Sequence, residues 1–178
     1  MELGCRLVGL SSGHPIGKLP MRVEYINPFI ASVRNAFQTM LSSEAERGAP
    51  YLRTAAELDF CVSGVIGLSG DAMGTVVINM SKEVALGVAS VLLMDQFTEL
   101  TPDVIDAVGE LTNVIAGAAK SKLEEFHLGV SLPNVITGGA HTIHFPRDVT
   151  PICVPFKTIW GPLVLEVGLT PVRQAVAG

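Results

Sequence analysis

The chain has 178 residues, of which 48% are hydrophobic and only 16% charged, a balance that disorder cannot sustain and that fills one core rather than two. Its net charge is −5, and the clustered positive excess with which proteins coat nucleic acid does not appear. The mean hydropathy of +0.46 raises the membrane question, yet the longest charge-free apolar runs, Phe60 to Gly70 and Val84 to Met94, have 11 residues each, against roughly 18 to 20 for a span.

Residues 1–20 carry no apolar stretch of signal-peptide length and read as a loose leader or remnant. A single domain is expected over 21–172, with 173–178 as a tail. Asn27-Pro28 opens the first helix, Asn capping and Pro occupying the first turn, where its missing N–H is not needed. Phe29, Ile30, Val33, Phe37, Met40 and Leu41 then recur at helical spacing to about Ser43. Gly48, Ala49 and Pro50 break that pattern. Two strand-like runs follow, Glu57 to Leu68 and Thr75 to Met80, joined by a turn at Ser69-Gly70-Asp71. Ser81 caps a second helix reaching about Met94. Thr101-Pro102-Asp103 combines a capping hydroxyl, a first-turn proline and an acid near the positive helix end, and predicts a long helix to Phe126. Glycines and small polar residues then prevail to Ala140. Pro151 to Ile159 and Pro162 to Leu169 form a second hairpin around Trp160-Gly161. The order implies an α+β fold: a largely antiparallel sheet, helices covering one face, and two helix-then-hairpin blocks that hint at internal duplication.

On the long helix, Val104, Ile105, Val108, Leu111, Thr112, Ile115, Ala119, Leu123 and Phe126 gather into a core-facing stripe. Asp106, Glu110, Asn113 and Gly117 fall within about 60 degrees of one another on the far side. A face meant only for solubility favours Glu, Lys and Arg. Asn in mid-helix costs several tenths of a kcal/mol relative to Ala, and glycine about 1 kcal/mol. Small residues around a polar pair let another surface approach closely, and Gly109 and Ala116 flank the stripe as well.

The segment Asp106-Ala-Val-Gly-Glu110-Leu-Thr-Asn113-Val-Ile-Ala-Gly117 resembles the signature helix of the CheC, CheX and FliY chemotaxis phosphatases: an acid or Ser, three residues, Glu, two residues, Asn. Val23-Glu-Tyr-Ile-Asn-Pro-Phe-Ile30 and Ser131-Leu-Pro-Asn-Val-Ile-Thr-Gly138 are similar to CheX-type members in particular, and the resemblance covers about residues 21–172. It implies a CheC-like fold, a homodimer in the cytoplasm, and hydrolysis of the aspartyl phosphate on a phosphorylated CheY-like response regulator. Glu110 and Asn113 are the implied catalytic residues, Asn113 positioning the attacking water and Glu110 docking on the partner's active-site lysine. Asp106 and Gly117 are candidates for partner contact. No cofactor of its own is implied, the Mg2+ belonging to the response regulator. The first helix carries Ser32-Val-Arg-Asn35, which lacks the Glu, so one site per chain is expected. A non-catalytic module of the same fold that binds a response regulator is the alternative.

Other constellations carry weaker chemistry. His141 and His144, with Asp148 or His127, could be drawn as a metal site, but no Glu accompanies the pair in the zinc-hydrolase pattern. Cys5, Cys61 and Cys153 form no Cys-x-x-Cys pair, which argues against a zinc knuckle or disulfide framework and suits a reducing compartment. Gly64 and Gly67 lie in a strand with no Lys-Ser/Thr after them, unlike a phosphate loop. Trp160 packs in its hairpin, since a nucleic-acid platform would want basic neighbours.

Overall fold

The structure is a computed structural model that describes residues 25–53, 60–139, 141, 143–145 and 149–172. Helix α1 (Asn27–Met40) leads to the short strands β1 (Glu46–Arg47) and β2 (Tyr51–Leu52), then to the hairpin β3 (Val62–Ser69) and β4 (Ala72–Met80). After α2 (Lys82–Leu93) come α3 (Pro102–Lys120), a 3-10 turn at Glu124–Phe126, and the short strands β5 (Gly129–Val130) and β6 (Asn134–Thr137). A second hairpin, β7 (Ile152–Thr158) and β8 (Gly161–Pro171), ends the fold.

All strands join one antiparallel sheet in the order β1-β7-β8-β4-β3-β5, with β2 also on β7 and β6 also on β3. Strands β4 and β8 form its centre, paired from Ala72 opposite Pro171 to Met80 opposite Leu163. The expected duplication has a geometric form. Helix, two short strands and hairpin occur twice, and each pair of short strands hydrogen-bonds to the outer strand of the other block's hairpin.

Strand alternation assigns the two sheet faces. Ile66, Val76, Ile78, Leu165, Val167 and Val154 point toward the helices and make the main core with Phe29, Phe37, Leu111 and Ile115. Gly64 shares this face, and a Cβ there would collide with Thr112 Oγ1 of α3. The missing side chain lets the helix settle directly on β3. Thr112 is buried, its hydroxyl donating to Val108 O at 2.7 Å. On the reverse face, Ser63 donates to Asn79 Oδ1, Asn79 Nδ2 donates to Glu166 Oε1 at 2.6 Å, and Arg53 Nη1 donates to Glu166 Oε2 at 3.0 Å. Arg53 also donates to Ile143 O at 2.7 Å, tying Ile143 over this face. A buried carboxylate is tolerable because each oxygen has a donor and a cation compensates its charge.

The helix starts follow their caps at Ser81 and Thr101, whose hydroxyls accept from Val84 N and Val104 N. Beside the first, the Glu83 carboxyl is held below its ordinary range by a backbone hydrogen bond and by Ser81. Four expectations need correction. Asn27 is the first helical residue rather than the cap; Ile26 stands there with no side-chain bond, buried at 1% exposure, so core packing sets the entry. That helix ends at Met40, short of Ser43. The long helix ends at Lys120, not Phe126, because Lys122 N and Leu123 N bond to Ala119 O and Lys120 O, tightening the chain so that Leu123 turns inward. Finally, β1, β2, β5 and β6 arise where only breaks and loops were expected, as short edge pieces completing β7 and β3. The β3–β4 hairpin spans more of Ser69–Asp71 than predicted, with β4 starting at Ala72; the expected strand start at Glu57 lies outside the described residues.

Candidate functional site

Helix α3 is fixed on three sides. Its apolar stripe is buried, with Val104, Val108, Leu111 and Ile115 fully so, while Ile105 is half-buried. Helices α1 and α2 pack along it, and β3 lies beneath. Phe126 lies beyond the helix, its ring edge-on to Tyr25 at 4.8 Å. What remains open is the arc carrying Asp106, Glu110, Asn113 and Gly117, all four exposed. The backbone that carries them is rigid, since every turn beneath is anchored in the core.

The open arc has three properties that bear on chemistry. Glu110 and Asn113 are neighbours one turn apart, so a carboxylate and a carboxamide project together. Among the described residues, neither side chain makes a hydrogen bond or ion pair within the chain. Their polar atoms are therefore available to a second molecule. Gly117, one turn beyond Asn113, would meet nothing within 4 Å if it carried a Cβ. Among the described residues, packing does not demand a glycine there, and its helix cost goes unrepaid by them.

Not every small residue on the helix belongs to this opening. Gly109 and Ala116 are buried, and a Cβ at Gly109 would lie 3.6 Å from Val135 and 3.8 Å from Pro133. Both therefore lie off the open arc, and Gly109 faces the 133–135 segment at ordinary contact distance. Val114, next to Asn113, is an apolar side chain at 38% exposure. On α1, Ser32 is buried with its hydroxyl bonded to Pro28 O at 2.8 Å, while Asn35 is exposed. The position that would need Glu for a second site thus points into the core.

The competing constellations resolve into structural roles. His141 Nε2 lies 2.7 Å from Ser63 Oγ and its Nδ1 lies 2.8 Å from Gly138 O. His127 Nδ1 pairs with Asp71 Oδ2 at 2.7 Å on the surface. Asp148 lies outside the described residues. Among the described residues, no three His, Cys, Asp or Glu side chains converge as a metal set would. Cys153 is buried in β7 and Cys61 is partly buried before β3, while Cys5 lies outside the described residues. Trp160 rests over Gly87 of α2 with its ring 6.4 Å from that of Phe37. No helix among the described residues is long and apolar enough to cross a membrane. The Ser63–Asn79–Glu166–Arg53 chain behind the sheet had no signal in the sequence, because its members are scattered from residue 53 to residue 166.

Comparison with known proteins bears on the same helix. The family model of the chemotaxis phosphatase CheX matches residues 62–157, which include all of α3. The CheY-P phosphatase CheX of Thermotoga maritima is 30% identical over 121 residues, covering 66% of this chain and 78% of that one. The crystal structure of the chemotaxis protein CheX from Vibrio vulnificus matches with a TM-score of 0.78 at 33% identity, over 83% of this chain and 99% of that one. The CheX-CheY-BeF3-Mg2+ complex from Borrelia burgdorferi matches with a TM-score of 0.72 at 27% identity, again over 83% of this chain and 99% of that one.

Proposed function

This chain belongs to the chemotaxis phosphatase CheX family, and on that premise we propose that it accelerates hydrolysis of the aspartyl phosphate on a CheY-like response regulator. The observation that carries this reading is the exposed Glu110 and Asn113 pair on α3, neither side chain bonded within the chain among the described residues.

An acyl phosphate is already reactive, so the enzyme needs no covalent nucleophile. It needs a water held in line with phosphorus and a docked geometry that persists through the displacement. The water oxygen bonds to phosphorus, the bond from phosphorus to the aspartyl oxygen breaks, and the carboxylate departs as an anion. The water's protons leave with inorganic phosphate. Asn113 supplies an amide oxygen that accepts a hydrogen bond from the water and an amide nitrogen that donates to the phosphoryl group or the water. It does not remove a proton. Glu110, one turn earlier, docks on the partner's active-site lysine through a charge-assisted hydrogen bond that sets the register of approach. Asp106 and Gly117 extend the contact along the helix, the acid orienting the partner and the glycine leaving it room. The Mg2+ required for phosphoryl chemistry is the response regulator's, and no step needs a cofactor held by this chain.

Two further elements belong to the same reading. The protein acts as a homodimer with one site per chain, helix α1 having its Ser32 turned inward. It works in the cytoplasm, the compartment that suits its isolated cysteines. Phosphate release from a phosphorylated CheY-like protein, with and without the purified chain, tests the activity. An unchanged release rate, with association intact, would leave the binding-module alternative in its place. Sizing chromatography tests the dimer.

A further inference from the structure

On the reverse face of the sheet, away from α3, a histidine closes a row of polar groups whose protons can be counted. Gly138 O lies 2.8 Å from His141 Nδ1, and His141 Nε2 lies 2.7 Å from Ser63 Oγ. Ser63 Oγ lies 2.5 Å from Asn79 Oδ1, and Asn79 Nδ2 lies 2.6 Å from Glu166 Oε1. Ser63, Asn79 and Glu166 are buried and His141 is half-buried. Among the described residues, the side chains of Ser63, Asn79 and His141 have no further hydrogen bond or ion pair.

Both ends of the row are acceptors. A carbonyl oxygen only accepts, so His141 Nδ1 must carry a hydrogen. At the far end, the Arg53 guanidinium 3.0 Å from Glu166 Oε2 keeps that carboxyl ionised. The Asn79 nitrogen therefore faces Glu166, and its oxygen faces Ser63. Serine has a single proton. Given to Asn79 Oδ1, it leaves only lone pairs toward the imidazole, so His141 Nε2 must donate as well. A neutral ring supplies one N–H where this row requires two. The surrounding charges do not decide the matter. Glu166 on β8 and Arg53 after β2 offset each other, Cys61 before β3 is a partly buried thiol, and His144 on the same segment is exposed. The hydrogen-bond count decides it, because it is satisfied only by the charged ring.

We infer that His141 is held as the imidazolium and works as a proton-dependent clasp, fastening residues 138–141 to the back of β3. The inference is independent of the phosphatase reading. Its position gives it reach toward the site helix. Ser63 adjoins Gly64, on which Thr112 of α3 rests, and Gly138 follows β6, whose Val135 faces Gly109 of the same helix. While the second proton is present the row is complete. As pH rises and that proton leaves, Nε2 and Ser63 Oγ oppose lone pair to lone pair and the segment is released.

Proton–nitrogen correlation NMR of the histidine rings, recorded on the full chain near neutral pH, reads the state directly. His141 should carry a hydrogen on both ring nitrogens at a pH where exposed His144 no longer does. A single protonated nitrogen on His141 overturns the inference; the missing proton then belongs to Glu166, with the Asn79 amide turned over. Ser63→Ala removes the acceptor of the Nε2–H, and His141 should then behave as His144 does. A ring that stays doubly protonated in that variant overturns the role given to Ser63. The parent spectrum decides the protonation state whether or not the variant folds. The amide of Gly138 donates to Cys61 O at 2.9 Å. As the pH is raised, it should lose protection from hydrogen exchange in step with the neutralisation of His141. Protection that persists once the ring is neutral overturns the clasp.

Discussion

Asn113→Ala should separate catalysis from folding in one protein. The side chain is exposed and, among the described residues, bonded to nothing in its own chain, so truncation removes no internal contact. Alanine is the better helix former, and relief of the asparagine's mid-helix penalty should stabilise α3 by about 0.5 kcal/mol. For a chain of this size that corresponds to a rise in Tm of about 1–2 °C. Catalysis moves the other way. Losing a group that orients the attacking water costs on the order of a hundredfold to ten-thousandfold in rate, or about 3–5 kcal/mol of transition-state stabilisation. The assay pairs stopped-flow dephosphorylation of a CheY-like substrate with thermal unfolding of the same preparation. The expected result is an inactive, slightly more stable enzyme that still associates with the phosphorylated partner. Dephosphorylation within about threefold of the parent would refute the water-positioning role. So would a loss of activity that tracks a fall in Tm, because the residue would then be supporting the fold. Asn113→Asp should be inactive as well, since it brings negative charge toward an anionic phosphoryl group.

Glu110→Ala should raise the apparent KM for the phosphorylated partner more than it lowers kcat; titration with a BeF3-treated regulator, which mimics the acyl phosphate without turning over, measures the affinity directly, and an unchanged value would remove the docking role. Gly64→Ala forces a methyl into Thr112, and over-packing of this kind costs about 1–3 kcal/mol; a denaturant midpoint equal to that of the parent would mean that α3 does not rest on β3 there. Arg53→Met removes the cation 3.0 Å from the buried Glu166 carboxylate, and losing one member of such a pair costs about 3–5 kcal/mol; chemical unfolding at neutral pH reads the loss, whereas an unaltered midpoint would show that the acid does not depend on Arg53.

The parts of the molecule legible in the sequence are those whose cause is local. Ser81 and Thr101 announce helix starts because a capping hydroxyl acts within three residues. The Glu110–Asn113 pair was readable for the same reason, since helical spacing alone decides which side chains stand together. The end of α3 was not readable, because no glycine or proline stops it. What stops it is the pull of Leu123 into the core, a tertiary effect with no mark of its own in the sequence. Strands of two or four residues, such as Gly129–Val130 and Asn134–Thr137, are too short to show alternation and exist because a neighbouring strand offers them partners. The buried chain from Ser63 to Glu166 joins residues that each look like an isolated exception within an apolar strand. Leu132 looked like part of a motif, but only its exposure shows that it faces outward. Gly109 was misread for a related reason: it is buried beside Pro133 and Val135, which sit far from it in sequence.

The exchange of short strands between the two blocks has a mechanical consequence. Each half of the molecule finishes the border of the other, so neither can be severed and left with a complete sheet of its own. Loosening at either margin is transmitted across the central β4–β8 seam, and the chain should melt as one unit instead of fraying by halves. Such a scaffold leaves the outward side of α3 free to change its chemistry, because what holds the helix in place lies beneath and beside it.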